Sequence, residues 1–256
     1  MRRSSFFILT ILLVPVILSS CSNINHDLKL YDLQAENLSN PLGLETTSPL
    51  LSWKIKSSEN GTAQSSYQIL VASRESLLNE KDADLWNSGK VASSQNFMVP
   101  YSGTKLFSRS LCYWKVRIWD QNDKPSGWSE VSGYSIGLID QSDWQAKYIG
   151  LPDEEYYVTS PQLRKTFEIS EIPDKLFLHV NSLGYHEVWI NGRKAGENVL
   201  APAMSQFNKR SLTITYDITS LLSKGRNDVV IWLGQGWYSK GLPGVTEKCP
   251  FVKAQA

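Results

Sequence analysis

"LCYWKVRIWD", residues 111–120, decides the fold. Successive side chains of an extended strand point to opposite faces, so Cys112, Trp114, Val116 and Ile118 share one side and Tyr113, Lys115, Arg117 and Trp119 the other. One side is apolar and the other cationic and aromatic, which predicts a strand that buries a single face. Cys112 then reads as a small buried hydrophobe with no need to react.

Working outward, the same period of two recurs in "LLSWKI" (50–55), "SYQILVAS" (66–73) and "SGYSIGL" (132–138). Turn clusters separate these runs, notably 57–61 (SSENG) and 120–123 (DQND). "RESLLNEKDADLW" (74–86) has mixed polarity and good helix formers, so it reads as a short helix or an ordered loop. "PSGWS" (125–129) interrupts the pattern before the last run, as in fibronectin type III modules. Residues 28–138 are therefore expected to form one antiparallel sandwich.

A second block, residues 150–256, repeats the logic with "LRKTFEI" (163–169), "KLFLHVNSLGYHEVWINGRKAG" (175–196), "SLTITYDITSLL" (211–222) and "NDVVIWLGQGWY" (227–238). Asn191-Gly192 sits between alternating runs and predicts a type I′ hairpin, because both central residues of that turn need positive φ. Asp217 is placed to cap one or two helical turns running through Leu222, closed by Lys224-Gly225. No long stripe of helical period appears after the N-terminal segment, so the expected class is all-β: two consecutive β-sandwiches. "CPFVKAQA" (249–256) reads as a final strand cut short, which would leave the second sheet incomplete and "DVVIWLG" (228–234) exposed.

Composition bounds the function. The chain has 256 residues, is 41% hydrophobic, carries 9 Trp, 11 Tyr and 8 Phe, and has a formal charge of +1, which offers no electrostatic case for nucleic acid. Arg2-Arg3 precede an apolar run from Phe6 to Leu18, the size of a signal-peptide core and too short to span a bilayer. Leu18-Ser19-Ser20-Cys21 follows it and resembles a bacterial lipobox. Residues 1–20 are thus expected to be removed and Cys21 lipidated, giving a protein secreted across the inner membrane and anchored in the periplasm or at the outer membrane or cell surface. Loss of Arg2 and Arg3, with no acid, would turn +1 into −1. A Cys112–Cys249 bridge is disfavoured because the two lie in different blocks.

Chemistry is sparse. His26, His179 and His186 lack metal-ligand spacing, and no nucleophile elbow or phosphate loop occurs. His179 faces away from Leu178 and Val180, His186 reads as part of a polar turn, and both are expected to be structural or solvated. Asp153-Glu154-Glu155 are adjacent acids on one loop, which cannot flank a sugar ring from opposite faces. No catalytic residue, metal ligand or cofactor site is expected. Trp237 and Tyr238 are the candidate carbohydrate-binding residues: aromatic rings stack on the C–H faces of sugars, and the pair follows two glycines near a strand end. Their competing role is to cement a domain interface, and the Asn191-Gly192 hairpin reads as scaffold.

Several stretches carry a more specific resemblance. "NPLGLETTSPLLSWKI", "YQILVASRESLL", "DLWNSGKV" and "YWKVRIWDQNDKPSGWSE" resemble the fibronectin-like leading module of bacterial α-L-rhamnosidases, and "SDWQAKYIG" resembles the junction that follows it. "RKTFEI", "LGYHEVWINGRKAGENVLAPAMSQFNKRSLTITYDITSLL" and "GRNDVVIWLGQGWY" resemble the next module of that family, a sandwich of jelly-roll or galactose-binding type associated with sugar recognition. The resemblance implies a parent enzyme that removes terminal α-L-rhamnose with inversion, its paired carboxylates lying in a downstream catalytic domain of the same polypeptide. It implies a rhamnose-containing glycan as partner, a membrane reached through the lipid anchor, and calcium as a cofactor by resemblance alone. Two other readings stay open: a stand-alone carbohydrate-binding lipoprotein, and the sugar-binding head of a β-galactosidase-like glycosidase, the latter opposed by the fibronectin-like leader and "GQGWY".

Overall fold

The computed structural model describes residues 28–151, 160–239 and 250–256. Eight strands form the first sandwich: β1 (Lys29–Ala35), β2 (Leu50–Lys56), β3 (Gln64–Ala72), β4 (Trp86–Asn87), β5 (Val91–Ala92), β6 (Val99–Pro100), β7 (Leu111–Asp120) and β8 (Ser132–Ser135). One sheet has the order β1-β2-β6, the other β4-β3-β7-β8 with β5 also on β3. β7 buries every second residue, and Cys112, Trp114, Val116 and Ile118 reach no solvent, as the alternation requires. They pack with Trp53, Ile69, Val71 and Tyr134 into one core. Burial pushes the Cys112 thiol up to about 12, so it stays a neutral thiol; Cys249 lies outside the described residues.

The opposite face of β7 is a ladder of cations and rings. Lys90 Nζ lies 4.7 Å from the centre of the Trp119 ring, the Arg117 guanidinium 5.0 Å from Trp119 and 4.7 Å from Trp128, and Lys115 Nζ 5.0 Å from Trp128. Trp128 reaches the ladder because residues 125–129 run beside β7. The Ile118 and Val116 N–H groups donate to Ser126 Oγ and Ser129 Oγ, each at 3.1 Å, so two hydroxyls serve where a neighbouring strand would. Residues 74–86 hold one 3₁₀ turn, Glu75–Leu77, within an otherwise ordered loop.

The second sandwich has two four-stranded sheets, the jelly-roll plan. Its strands are β9 (Ile149–Gly150), β10 (Gln162–Ile169), β11 (Phe177–Leu183), β12 (Tyr185–Ile190), β13 (Arg193–Lys194), β14 (Thr213–Asp217), β15 (Gly225–Gly234) and β16 (Phe251–Gln255). The sheet orders are β10-β15-β12-β13 and β14-β11-β16-β9. Val180, Val188, Ile190, Ile218, Leu233 and Val252 form the core between them. The hairpin is as expected: Asn191 and Gly192 have φ of +51° and +76°, and Ile190 pairs with Arg193. Asn191 Nδ2 also donates to Leu221 O and Asn227 Oδ1, while its Oδ1 accepts from the Asp228 N–H, so its side chain ties three segments of scaffold together.

Residues 251–255 of the last expected strand pair on both sides, as β16 between β11 and β9. Two expectations are corrected. "DVVIWLG" is not exposed backbone, since β15 pairs with both β10 and β12. The turn after Asp217 is one 3₁₀ turn, Thr219–Leu221; Asp217 Oδ1 accepts the Thr219 N–H at 3.0 Å, tightening the corner before an α-helical turn can form. The sheets instead part at the β10 side, where an apolar gap of about 320 Å³ runs past Leu163, Phe167, Leu178, Ile231 and Val252.

Candidate functional site

β11 organises the site. Leu178, Val180 and Ser182 point into the core, so His179 and Asn181 point outward from the same sheet. The antiparallel register sets two parallel rows across this outer face: Thr215–His179–Gln255 and, one step along, Thr213–Asn181–Lys253.

The first row meets the other sandwich. His179 Nδ1 lies 2.9 Å from Thr215 Oγ1, and a Cβ on Gly43 would fall 2.2 Å from that same oxygen, so the two modules touch here. Gln255 Oε1 accepts the Gln145 and Ala146 N–H groups and its Nε2 donates to Asp143 O, holding the connecting segment against the sheet. His179 is buried in this seam, and desolvation, with the Arg109 charge nearby, pulls it down to about 4.

The second row opens into a cleft of about 480 Å³ lined also by Trp144, Tyr148, Phe207 and Arg210. Lys253 Nζ lies 4.1 Å from the centre of the Trp144 ring and 5.1 Å from that of Tyr148. Asn181, itself buried, accepts from the Tyr148 and Ser211 hydroxyls and donates to Thr213 Oγ1 at 3.0 Å. One amide therefore fixes a ring and two hydroxyls. The wall so made combines aromatic faces, hydroxyls and a cation, the groups that hold a saccharide by stacking and hydrogen bonding.

Of Trp237 and Tyr238, only Tyr238 is tied to this cleft. Both lie in the single helical turn Gly236–Ser239 after β15. Tyr238 packs edge-to-face on Phe207, which lines the cleft, with ring centres 5.3 Å apart. Trp237 is 55% exposed and does not line the cleft. Trp144, Tyr148, Asn181 and Lys253 were missed as site residues. The spacing of Trp144 and Tyr148 within "SDWQAKYIG" was a readable signal; Asn181 and Lys253 meet only through strand pairing.

His186 also needs correction: it lies in β12, not a turn, and is buried. The Ser182 hydroxyl donates to Gly184 O at 2.8 Å, so its oxygen accepts from His186 Nδ1 at 2.6 Å, leaving Nε2 to accept from the Tyr216 hydroxyl at 3.0 Å. Burial lowers His186 to about 4. A nucleophilic serine needs its proton aimed at the imidazole and its oxygen reachable by substrate. Ser182 meets neither condition, and the trio is a neutral structural network. Asp153, Glu154, Glu155, His26 and Cys21 lie outside the described residues. Among the described residues no group of three or more His, Cys, Asp or Glu could hold a metal ion, so calcium gains no site there.

Residues 30–140 match the model of the Rha78A-like N-terminal immunoglobulin domain, and residues 172–251 that of the α-L-rhamnosidase N-terminal domain. The chain is an N-terminal region of the α-L-rhamnosidase family. An α-L-rhamnosidase of Formosa agariphila is 39% identical over 214 residues, covering 80% of this chain and 23% of the relative. One of Alteromonas sp. (strain LOR) is 35% identical over 256 residues, covering 96% and 28%. The chain thus spans about a quarter of the length of these relatives. The solved α-L-rhamnosidase from Dictyoglumus thermophilum superposes with a TM-score of 0.77 at 30% identity, over 88% of this chain and 27% of that one. That from Aspergillus terreus gives 0.78 at 26% identity, over 89% and 27%. The matched immunoglobulin domain and the fibronectin type III-like sandwich expected for this block are the same architecture.

Proposed function

We propose that this region serves an exported enzyme that hydrolyses terminal α-L-rhamnose, and that its own part is to hold a rhamnose-containing glycan in the cleft between Trp144, Tyr148 and the Asn181 row while the chemistry occurs elsewhere in the polypeptide. The observation that carries this is the cleft itself: two aromatic rings, of which Tyr148 is fixed by hydrogen bonding to the buried Asn181, beside exposed polar groups. Relatives named for rhamnose hydrolysis supply the sugar class. Hydrolysis with inversion needs two carboxyl groups about 6.5–9.5 Å apart across the bond, and among the described residues the cleft lining offers only one carboxylate, Asp140.

Calorimetric titration of the whole chain with rhamnose-containing oligosaccharides checks the assignment. Binding that Trp144→Ala and Tyr148→Ala each weaken about ten-fold is expected, with no phenol released from an aryl α-L-rhamnoside. Equal binding by both variants, or turnover by the purified chain, would remove it. Export and lipidation at Cys21 belong to the same proposal and rest on the apolar run and Ser19-Ser20-Cys21. Palmitate should label the chain expressed in a bacterial host, and labelling that survives Cys21→Ala would contradict the anchor.

A further inference from the structure

We infer that the junction cleft selects an acidic saccharide, one bearing a carboxylate or sulfate ester beside its stacked ring, with Lys253 as the anion contact. The inference rests on the cleft being a glycan site and adds the charge of its ligand.

Lys253 has no acidic partner among the described residues. Six ion pairs join other described residues, and none includes it; its ammonium group instead sits between the faces of Trp144 and Tyr148. It is half-buried, and desolvation draws its proton affinity below that of an ordinary lysine. Two rings repay part of the lost hydration, yet an ammonium group carries three N–H donors, and ring faces satisfy these less well than oxygen does. Its neighbours deepen the imbalance. Lys209 and Arg210 line the same cleft and are exposed, against one acid among the described residues, Asp140. A concave wall with three cations and one carboxylate focuses a positive potential where a ligand would lie.

Geometry restricts the class further. Thr213, Asn181 and Lys253 stand in register across neighbouring strands, which are about 4.8 Å apart in any sheet. A pyranose ring is of this size. A sugar stacked on Tyr148 can therefore meet the hydroxyls of Thr213 and Ser211 and present an equatorial anionic group to Lys253. A bare anion would use Lys253 alone and leave the rings and hydroxyls idle.

The test uses the whole chain and two ligand pairs: a rhamnose–glucuronic acid oligosaccharide with its carboxyl-reduced form, and a sulfated rhamnan oligosaccharide with its desulfated form. Inorganic sulfate serves as a fifth probe. At least one acidic member should bind about ten-fold more tightly than its neutral partner, and whichever pair does so identifies the anion. Lys253→Gln should erase that margin, Lys253→Arg should keep it, and raising the salt from 50 to 500 mM should shrink it. Thermal melting of Lys253→Gln at the wild-type temperature keeps the comparison free of misfolding; should it melt lower, the Lys253→Met variant, which keeps an unbranched stem against the rings and removes the charge, carries the same test. Equal binding of neutral and acidic forms, still weakened by Tyr148→Ala, would overturn the charge preference and leave the glycan site standing. No binding of any oligosaccharide would overturn both. Inorganic sulfate binding as tightly as the sulfated oligosaccharide would overturn the saccharide class.

Discussion

In the first sandwich Trp53, Trp114 and Tyr134 fill the space between sheets, and charge is kept on the outer face as the ladder of Lys90, Trp119, Arg117, Trp128 and Lys115. In the second, smaller aliphatic residues make the core, a Ser182–His186–Tyr216 network runs through it, and the sheets part beside β10. The difference teaches that one architecture can draw its stability from two sources. Burial of large apolar side chains is indifferent to pH, whereas a network around neutral histidines holds only while they stay unprotonated.

The largest expected effect tests the first half of that contrast. Trp114 is fully buried, and its indole N–H has no partner among the described residues. Its contribution is therefore packing alone. Trp114→Ala should cost about 3–5 kcal/mol in denaturant unfolding followed by circular dichroism. Trp114→Phe should cost much less, because it surrenders area but also an unsatisfied donor. Equal losses for the two variants would show that the indole makes a polar contribution and would break the comparison.

Acid should separate the modules next. His179 and His186 sit near 4 against an ordinary 6.5, so between those values the unfolded chain takes up protons that the folded chain refuses. Stability is then fully present above about pH 6.5 and declines as the pH falls towards 4. At pH 5 each histidine removes about 2 kcal/mol, taking 1.36 kcal/mol per unit. The first sandwich, β1 to β8, contains no histidine, and its lowered carboxylates, such as Asp84, lose their stabilisation only below the ordinary carboxylate value of 3.8. Hydrogen exchange at pH 7 and pH 5, corrected for intrinsic rates, should show protection falling in β11 and β12 and holding in β3 and β7. Parallel loss in both modules would mean that they unfold as one unit.

Much of this organisation was legible from period and turn chemistry. β7 was readable because ten residues alternate without a break, and the hairpin because Asn-Gly selects one turn. The two-residue strands β4, β5, β6, β9 and β13 were not, since no period can be seen in two residues. The place of β16 depends on its partner β11, about seventy residues away, which local pattern does not encode. The cleft failed to show for the same reason. Asn181 and Lys253 are ordinary polar residues until pairing sets them side by side, whereas Tyr238 was accessible to reasoning as an aromatic at a strand end. His186 was misplaced in a polar turn because its partner Tyr216 comes from β14, thirty residues on.

The smallest expected effect in energy is the sharpest probe of how the two sandwiches meet. Gly43 has φ of +74°, and an added Cβ would lie 2.2 Å from Thr215 Oγ1 and 2.9 Å from Thr215 Cβ. Alanine in the left-handed region costs about 1–2 kcal/mol. The clash adds to this only until the modules draw apart, so the total is capped by what the seam is worth. Gly43→Ala should therefore lower global stability by roughly 1–2 kcal/mol while opening the seam locally. The two histidines report that opening separately. His179 owes its low value to burial in the seam and to Arg109 of the first sandwich, whereas His186 is buried among the second sandwich's own residues. Titration of both imidazoles by NMR in Gly43→Ala should find His179 moved up from about 4 towards 6.5 and His186 left near 4. If both move, the damage has spread through the second core. If neither moves, contact across Gly43 and Thr215 is not what keeps His179 dry, and the joining of the modules rests instead on the bonds from Gln255 to the connecting segment.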